Sequence, residues 1–377
     1  MENRKRRLLV FNCHEAWVHQ LRFLDHDLDI ICGLPGRYTQ DWDIHIRPVP
    51  PRARLIRLEE ALACGERYDC IIAHNPTDLL DIRTRTEPRL LMIHVSIQAR
   101  IAEEHPSLSA EQAKEILHRY VTLCGAHVAS VTYAKGKSWG FGGDVLPVAV
   151  DPNEYPLCTG ETICGLRVAN FILQRKTFLD WSFHERAFAG LPIRIVGHNP
   201  GLPGVAPSRD WDHLKDLLRT SRFYIHTANP DLEDGYNMAV TEAMAAGLPV
   251  LGNKHPTSIV EHGVSGFLSD DPAELRDYAQ LLLADRNLAL RMGRQARLTV
   301  QRRFSVEAFR SGMEKAIELA KKKRELLSLH GPQAAADIAA MEIPPQGAPV
   351  KPAIVEIPRQ PGRTAGAIDE VRPAQER

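Results

Sequence analysis

The stretch RFYIHTANPDLEDGYNMAVTEAMAAGLPVLGN, residues 222–253, reads as a strand, a helix and a second strand in that order. RFYIHTA and LPVLGN are nearly continuous apolar runs, which is typical of strands buried on both faces of a parallel sheet. YNMAVTEAMAAG between them has the length of a helix and ends at a glycine. A strand, helix and strand in succession require a right-handed crossover between parallel strands, so the stretch predicts an α/β fold.

The same alternation runs through most of the chain and predicts two doubly wound units. Strands are predicted in the front half at RLLVFNC, LDIICGL, YDCIIAHN, RLLMIHVS and HVASVTY, and in the second half also at LRVANF, LPIRIVGHN and SGFLSD. A turn-rich segment, LPVAVDPNEYPLCTGETICG, resembles a hinge between them. We therefore predict a front domain at 1–150, a rear domain at 151–304, a terminal helix at 305–330 that packs toward the front domain, and a disordered Pro-, Ala- and Gln-rich tail at 331–377.

Composition argues against several classes of partner. The 377 residues carry no net formal charge and have a pI near 7.3, so no global field favours nucleic acid or anionic lipid. The basic run RKRR directly precedes the apolar LLVF, which is too short for a signal peptide or a membrane span. The seven cysteines form no CxxC pair and have no nearby histidine at zinc-ligand spacing. We expect reduced thiols, a cytoplasmic protein and no metal site.

The loop before the helix at 236–247 has the features of an anion-binding turn. Gly235 permits close approach of a ligand because it has no side chain. The N–H groups of Tyr236, Asn237 and Met238 precede the first hydrogen bonds of the helix, and the helix dipole favours a phosphate there. Ligands of doubly wound sheets bind outside the carboxyl ends of the strands, so this loop is expected to face a cleft between the two units.

Two carboxylates flank this turn, Asp234 before it and Glu242 within the helix, with Glu233 beside the first. Carboxylates repel phosphate but accept charge-assisted hydrogen bonds from hydroxyl groups of a sugar or ribose. Hydroxyls at both ends and a diphosphate between them describe a nucleotide-sugar. The alternative is structural: Asp234 contributes to the helix N-terminus and Glu242 is a solvated helix residue.

The segments DGYNMAVTEAMAAGLPVLGN and IVEHGVSGFLSDDPAELRDYAQLLLADRNLALRMGRQARLTVQRRFS resemble the carboxyl-terminal domain of the family-four retaining glycosyltransferases, the glycosyl transferases group 1. The resemblance is strong over residues 191–309. It is looser in the front half, where HVASVTYAKGKSWGFGGDVLPVAVDPNEY is similar to the last front-domain strand and the crossover of the family. It implies the GT-B fold, in which two Rossmann-like doubly wound domains face each other across a cleft.

The resemblance also implies roles for the acidic pair. The family has Glu, seven residues, then Glu; Asp234 stands at the first position, which contacts donor-sugar hydroxyls, and is one methylene shorter. Glu242 stands at the second, which binds the ribose hydroxyls. The residues Gly235, Tyr236, Asn237 and Met238 match the loop whose amides meet the pyrophosphate and the sugar. Members of the family usually have an acidic residue near Thr257 and Ser258, whose hydroxyls are here available to a phosphate.

Family members carry an Arg and a Lys after the first strand of the rear domain, and these cations neutralise the departing diphosphate. Here Asn170 occupies the Arg position, and Arg175 and Lys176 compete for the Lys position, with Lys176 favoured. The alternative is that both are solvated surface charges. IVGHNPG resembles the next strand and its turn beside the nucleotide, where Gly197 gives backbone access and His198 approaches base or phosphate.

In the front half, His94 ends a predicted strand at the position where some family members contact the donor sugar; a structural histidine is the alternative. The first strand is normally followed by a Gly-rich turn, and here FNCHEAWVHQL has no glycine. His14, Glu15 and Trp17 would line that edge and serve an acceptor.

The resemblance implies a retaining hexosyl- or related glycosyltransferase that uses a nucleoside-diphosphate sugar, with a glycan, lipid or small molecule as acceptor. No cofactor and no metal are expected, because cations and helix amides would carry the leaving-group charge. Many relatives build cell-surface polysaccharides at the inner membrane face, so a peripheral membrane contact is compatible with the resemblance. The alternative is a GT-B-shaped binding or scaffold protein that has lost transfer, which Asn170, the missing Gly-rich turn and the shorter Asp234 favour.

Overall fold

The protein is described by a computed structural model that covers residues 5–37, 39–104 and 107–330. The prediction of a disordered tail at 331–377 lies outside these residues. All secondary-structure elements named below belong to the described part of the chain.

The described residues contain twelve strands, most of them separated by helices. The strands are β1 Arg7–Phe11, β2 Asp27–Ile31, β3 Ala53–Ile56, β4 Cys70–Ala73, β5 Arg89–Ile93, β6 His127–Ser130, β7 Asp144–Val145, β8 Gly165–Val168, β9 Ile193–Val196, β10 Phe223–Ile225, β11 Val250–Gly252 and β12 Gly266–Leu268. The α-helices are α1 Glu15–His19, α2 Leu58–Ala63, α3 Pro76–Asp81, α4 Ile97–Glu104, α5 Ala110–Cys124, α6 Tyr133–Ser138, α7 Trp181–Phe188, α8 Trp211–Thr220, α9 Met238–Ala245, α10 Pro272–Ala284, α11 Arg286–Arg303 and α12 Val306–His330. Short 3₁₀ helices lie at Gln20–Leu24 and Pro152–Glu154.

The strands form two separate parallel sheets. The front sheet has seven strands in the order β3-β2-β1-β4-β5-β6-β7, and the rear sheet has five in the order β12-β11-β10-β8-β9. Central strands are buried on both faces: Leu8, Leu9 and Val10 of β1 have no exposed surface. The predicted α/β fold with two doubly wound domains is confirmed.

Each sheet has a point at which the strand order reverses, and these points determine where ligands bind. In the front sheet the reversal lies between β1 and β4, and in the rear sheet between β8 and β10. Crossovers leave these neighbouring strands in opposite directions, so a crevice opens at their carboxyl ends. The loops that follow β1, β4, β8 and β10 are therefore the ones that contribute side chains to the cleft.

The terminal helix α12 packs on the front sheet although it follows the rear domain in sequence. Its buried residues Met313, Ala316, Ile317 and Ala320 follow the spacing of one helical face. Its exposed side reaches the start of β1, where Arg6 Nη1 donates to Glu314 Oε2 at 2.6 Å. In the described part of the chain, no helix combines the length and the apolar character that crossing a membrane requires.

Two strands of the front sheet were not predicted. β3 is an edge strand whose sequence, ARLI, mixes charged and apolar residues and leaves Leu55 41% exposed. β7 has only two residues. Short edge strands lack the apolar run that identifies a buried strand, so pairing with a neighbour determines them more than their own composition does.

Candidate functional site

The carboxylate of Asp234 lies in the loop after β10 and faces the front domain. Its Oδ2 accepts a hydrogen bond from Thr132 Oγ1 at 3.0 Å and lies 3.0 Å from the ammonium of Lys135. The same ammonium lies 2.7 Å from Glu233 Oε1. Thr132 and Lys135 belong to the start of α6, directly after the front strand β6. Asp234 is only 3% exposed, so this cross-domain contact is closed to bulk water.

Glu242 also faces the front domain, eight residues further along on α9. It forms an ion pair with Arg47, which lies in the loop between β2 and β3. Both side chains are almost completely buried, at 4% and 3% exposure. The guanidinium of Arg47 additionally lies over the ring of Trp211, with 4.7 Å between guanidinium carbon and ring centre. Both carboxylates of the acidic pair therefore point into the cleft between the domains.

These contacts change the protonation behaviour of the two cations. Burial by itself lowers the pKa of Lys135, but the charges of Glu233 and Asp234 outweigh it and the net pKa is raised. Burial likewise lowers the pKa of Arg47, and Glu242 outweighs it. Both cations thus stay charged where they meet the carboxylates, and each pair is a buried ion pair rather than a neutral hydrogen bond.

The turn between the two carboxylates is built for close backbone approach. A Cβ added to Gly235 would lie 2.6 Å from the amide nitrogen of Ser258, so only glycine fits beside that segment. The amide of Gly235 donates to Thr257 Oγ1 at 2.8 Å. Asn237 caps α9 through its side-chain oxygen, which accepts from the Val240 amide at 3.0 Å. The helix begins at Met238, and the ring of Tyr236 packs edge-on against Phe304 with 5.4 Å between ring centres.

The region expected to supply the leaving-group cation is used differently. Asn170 Oδ1 accepts a hydrogen bond from the His198 amide at 2.8 Å, which ties the loop after β8 to the loop after β9. Arg175 Nε donates to Glu103 Oε1 of the front helix α4 at 2.7 Å. Lys176 is exposed. Asn170 thus has a structural bond, and Arg175 already has a carboxylate partner across the cleft.

Gly197 is required by the backbone rather than by a ligand. Its φ is +141°, and an added Cβ would lie 2.1 Å from the carbonyl oxygen of Ala169. His198, the next residue, is exposed and packs edge-on against Phe171 at 5.1 Å between ring centres. The structure therefore brings the loops after β8 and β9 together, with His198 at their surface.

His94 lies at the end of β5, and a second histidine, His74, lies at the end of the adjacent strand β4. His74 Nδ1 and His94 Nε2 are 2.8 Å apart. Burial, together with the nearby charges of His74, Lys135 and His14, lowers the pKa of His94 well below its usual value. His94 is therefore neutral at pH 7 and lies on the side of the front sheet that carries Lys135.

The three residues expected to serve an acceptor have different surroundings. His14 caps α1, and burial and the nearby Arg47 lower its pKa to about 4, although Glu242 opposes this. His14 therefore lies near the Arg47–Glu242 pair. Glu15 and Trp17 are only 3% and 2% exposed. Glu15 Oε1 accepts from the Asp43 amide at 3.1 Å, so these two side chains present no surface to an acceptor in this conformation.

Sequence reasoning assigned no role to Lys135, Thr132, Arg47 or His74. His74 had a usable signal, because it directly follows the buried strand β4 at the carboxyl edge of the sheet, and Lys135 had a weaker one in the first turn of the helix after β6. Arg47 had none, since it lies in an irregular, proline-rich loop. A narrow recess lies beside it between the domains, lined among others by Arg47, Tyr155, Trp211 and Glu242.

The rear domain is similar to a known family, and the whole described chain is similar to solved structures. Residues 205–299 match the family described as Glycosyl transferases group 1. No curated protein matches the chain by sequence. Among solved structures, HepE of Anabaena in complex with UDP and glucose has a TM-score of 0.60 at 14% identity and covers 83% of this chain and 99% of its own.

Two further structures are similar at comparable levels. Sucrose-phosphate synthase from Thermosynechococcus elongatus has a TM-score of 0.53 at 14% identity, with 86% of this chain and 100% of its own covered. WaaG, a glycosyltransferase involved in lipopolysaccharide biosynthesis, has a TM-score of 0.54 at 13% identity, and the match covers 83% of this chain and 99% of WaaG. The resemblance inferred from the sequence and the GT-B fold are confirmed.

Proposed function

We propose that the protein transfers a sugar from a nucleoside diphosphate to an acceptor hydroxyl with retention of anomeric configuration. The observation that carries the proposal is the orientation of Asp234 and Glu242. Both are buried, eight residues apart, and both face the front domain at the point where the rear strand order reverses. The group 1 sequence pattern over residues 205–299 and the bound UDP and glucose in the HepE structure support the same function.

The roles follow from charge and position. Asp234 would accept hydrogen bonds from the donor sugar, and Glu242 from the ribose, because ionised carboxylates are strong acceptors for hydroxyl groups. The start of α9 at Met238 would take the diphosphate, since the first amides of a helix lack intrahelical partners. The nucleoside would bind beside Glu242, where Trp211 and Tyr155 line a narrow recess that must widen to admit it.

Donor binding must compete with contacts inside the protein. Lys135 holds Asp234 and Arg47 holds Glu242 in the conformation described here. The donor's hydroxyls would replace these cations, either by side-chain movement or through a wider separation of the domains. Lys135 would then stay within reach of the sugar, at the part of the site where burial, together with its charge, lowers the pKa of His94.

The transfer itself would depend on positioning and electrostatic stabilisation. A fixed cation near the departing diphosphate helps more in the transition state than in the ground state, because charge develops there. With Asn170 in place of the family's Arg and Arg175 paired to Glu103, Lys176 is the exposed cation available on this loop. Three further statements stay predictions: transfer needs no metal, the protein is cytoplasmic, and the acceptor is a glycan or lipid.

A second function has a specific observation in its favour. Asn170 binds the His198 amide and so has a structural task where the family has a catalytic cation. A GT-B-shaped protein that binds a nucleotide or glycan without transfer would have this arrangement.

One experiment separates the two functions. The full chain is incubated with a panel of nucleoside diphosphates and nucleotide-sugars, and thermal stabilisation is measured, followed by donor hydrolysis and transfer with glycan and lipid acceptors. Stabilisation with turnover for at least one donor supports the transferase. Stabilisation by nucleotides without turnover for any donor supports the binding protein. Asp234→Asn should reduce turnover in the first case, and absence of any stabilisation would refute both functions.

A further inference from the structure

Three residues with metal-binding side chains meet at the carboxyl edge of the front sheet. Cys13 follows β1, His74 follows β4 and His94 follows β5. These strands are neighbours in the order β1-β4-β5 and run parallel, so their ends lie side by side. One potential ligand atom from each side chain lies within 4.8 Å of the other two. The cluster lies at the reversal point of the front sheet, where ligands of such sheets bind.

The two imidazoles are held in place, and one nitrogen of His74 lacks a partner. Trp17 packs edge-on against both rings, at 4.8 Å from His74 and 4.9 Å from His94 between ring centres. His74 is 5% exposed, and its Nε2 has no hydrogen-bond partner among the described residues. Burial lowers the pKa of His74 to about 3, so the ring is neutral at pH 7, as a metal ligand must be.

The charges around the thiol favour a cation. Burial, followed by the nearby carboxylates of Asp78 and Glu15, raises the pKa of the Cys13 thiol well above its usual value. A cation at this point would reverse that effect, because it stabilises the thiolate and is itself attracted by the two acidic side chains. The arrangement thus combines a thiol and two neutral imidazoles. The nearest charges are mixed: Asp78 and Glu15 lie on the side of the thiol, Asp78 also pairs with Arg37 at 3.4 Å, and Lys135 lies on the side of His94.

We propose that Cys13, His74 and His94 bind one zinc ion, or another transition cation that prefers sulfur and nitrogen ligands. A set of one thiolate and two imidazoles suits zinc, and three protein ligands leave a fourth position open. Zinc–sulfur and zinc–nitrogen bonds of about 2.3 and 2.0 Å place tetrahedral ligand atoms roughly 3.3–3.6 Å apart. Zinc binding would require side-chain shifts on the order of 1 Å, which would lengthen the 2.8 Å contact between His74 Nδ1 and His94 Nε2 and bring the sulfur closer.

Binding has a defined proton balance. The Cys13 thiol loses its proton to solvent and becomes the thiolate ligand. Each imidazole ligates through one nitrogen and keeps its single proton on the other, so binding releases one proton in total. No electron is transferred, and no further reactant is required.

A consequence for activity rests on the proposed function. His94 is the front-domain residue expected to contact the donor sugar, and a bound metal would occupy one of its nitrogens. Zinc would therefore inhibit transfer, although it does not touch Asp234 or Glu242. The sequence spacing gave no sign of this site, because its three ligands come from three separate strands.

The test measures metal binding directly. The full chain is stripped with a chelator and titrated with Zn²⁺ alone by calorimetry and with Co²⁺ alone by absorption spectroscopy. One Zn²⁺ per chain and a thiolate-to-cobalt charge-transfer band are expected. Cys13→Ser should abolish the band, and His74→Gln should weaken Zn²⁺ binding by more than about tenfold. Cys64→Ser, which changes a half-buried thiol outside the cluster, is the matched control and should bind as the wild type.

Either of two results would overturn the proposal: no stoichiometric Zn²⁺ binding by the wild type, or unchanged binding by the Cys13→Ser/His74→Gln double variant. Circular dichroism verifies folding, and Cys13→Ala replaces Cys13→Ser if the latter unfolds. Nucleotide binding by the metal-free protein is measured separately. Zinc binding without nucleotide binding would support this site and refute the proposed function, and the reverse result would do the opposite.

Discussion

The buried pair of Arg47 and Glu242 permits a prediction that separates a structural from a ligand-binding role. Glu242→Gln keeps the side-chain shape and removes the charge, which leaves a guanidinium at 3% exposure without its carboxylate. Breaking a buried ion pair from one side costs about 3–5 kcal/mol of folding free energy. Removing both charges in Glu242→Gln/Arg47→Met costs much less than the sum of the single changes, because no buried charge is then left alone.

Nucleotide binding responds differently from stability. If Glu242 accepts ribose hydroxyls, losing its charge removes an interaction of about 1.5–3 kcal/mol, which corresponds to a roughly 10- to 100-fold weaker affinity. This loss should occur in Glu242→Gln and persist in the double variant. Arg47→Met alone should bind at least as tightly as the wild type, because the ribose no longer displaces a guanidinium.

The assay combines urea denaturation of the four proteins with calorimetric titration of the nucleoside diphosphate that stabilises the wild type most. We expect a coupling energy of at least about 2 kcal/mol in the denaturation cycle. Additive destabilisation would refute the energetic reasoning about the pair. A double variant that binds nucleotide as tightly as Arg47→Met would refute the ribose role of Glu242.

Three further predictions concern other parts of the site. Lys135→Met removes the front-domain cation that contacts both Glu233 and Asp234, and leaves the buried Asp234 carboxylate without it. The domains should therefore separate, and small-angle scattering should show a larger radius of gyration. Lys137→Met, which changes an exposed lysine on the same helix, should not change the radius of gyration. Gly197→Ala should lower the free energy of unfolding by at least about 2 kcal/mol, because the added Cβ meets a carbonyl oxygen. Gly204→Ala, at φ +75° with open space around the added Cβ, should lower it by roughly 1 kcal/mol. Equal losses in the two variants would contradict the steric argument. Burial lowers the pKa of His74 to about 3 in the folded protein, so below pH 6.5 the unfolded chain binds a proton that the folded chain does not. The free energy of unfolding should therefore fall as the pH drops from 6.5 toward 3, by about 1.4 kcal/mol per pH unit from this group. His74→Gln should have a correspondingly shallower decline in urea denaturation between pH 7 and pH 5, and identical slopes would show that the histidine is not buried neutral.

Local sequence patterns determined the elements and the chemistry of the rear loop. The caps of α5 illustrate this: the Ser109 side chain accepts from the Gln112 amide, and Gly125 ends the helix at φ +62°, both as the residue types predict. The buried face of the same helix was not predicted from the sequence. Leu117 and Val121 are buried, whereas Ile116 is 49% exposed. Which side of a helix is covered depends on the element it packs against.

What only the tertiary structure decided is the set of partners across the cleft. The sequence placed Asp234 and Glu242 eight residues apart, but nothing in it indicated that Lys135 and Arg47, about one hundred and two hundred residues away, would neutralise them. Nor did it indicate that Cys13 and His74 would meet. Periodicity and caps act over a few residues and are legible in the chain, whereas contacts between strand ends depend on sheet order and domain closure, which no local pattern encodes.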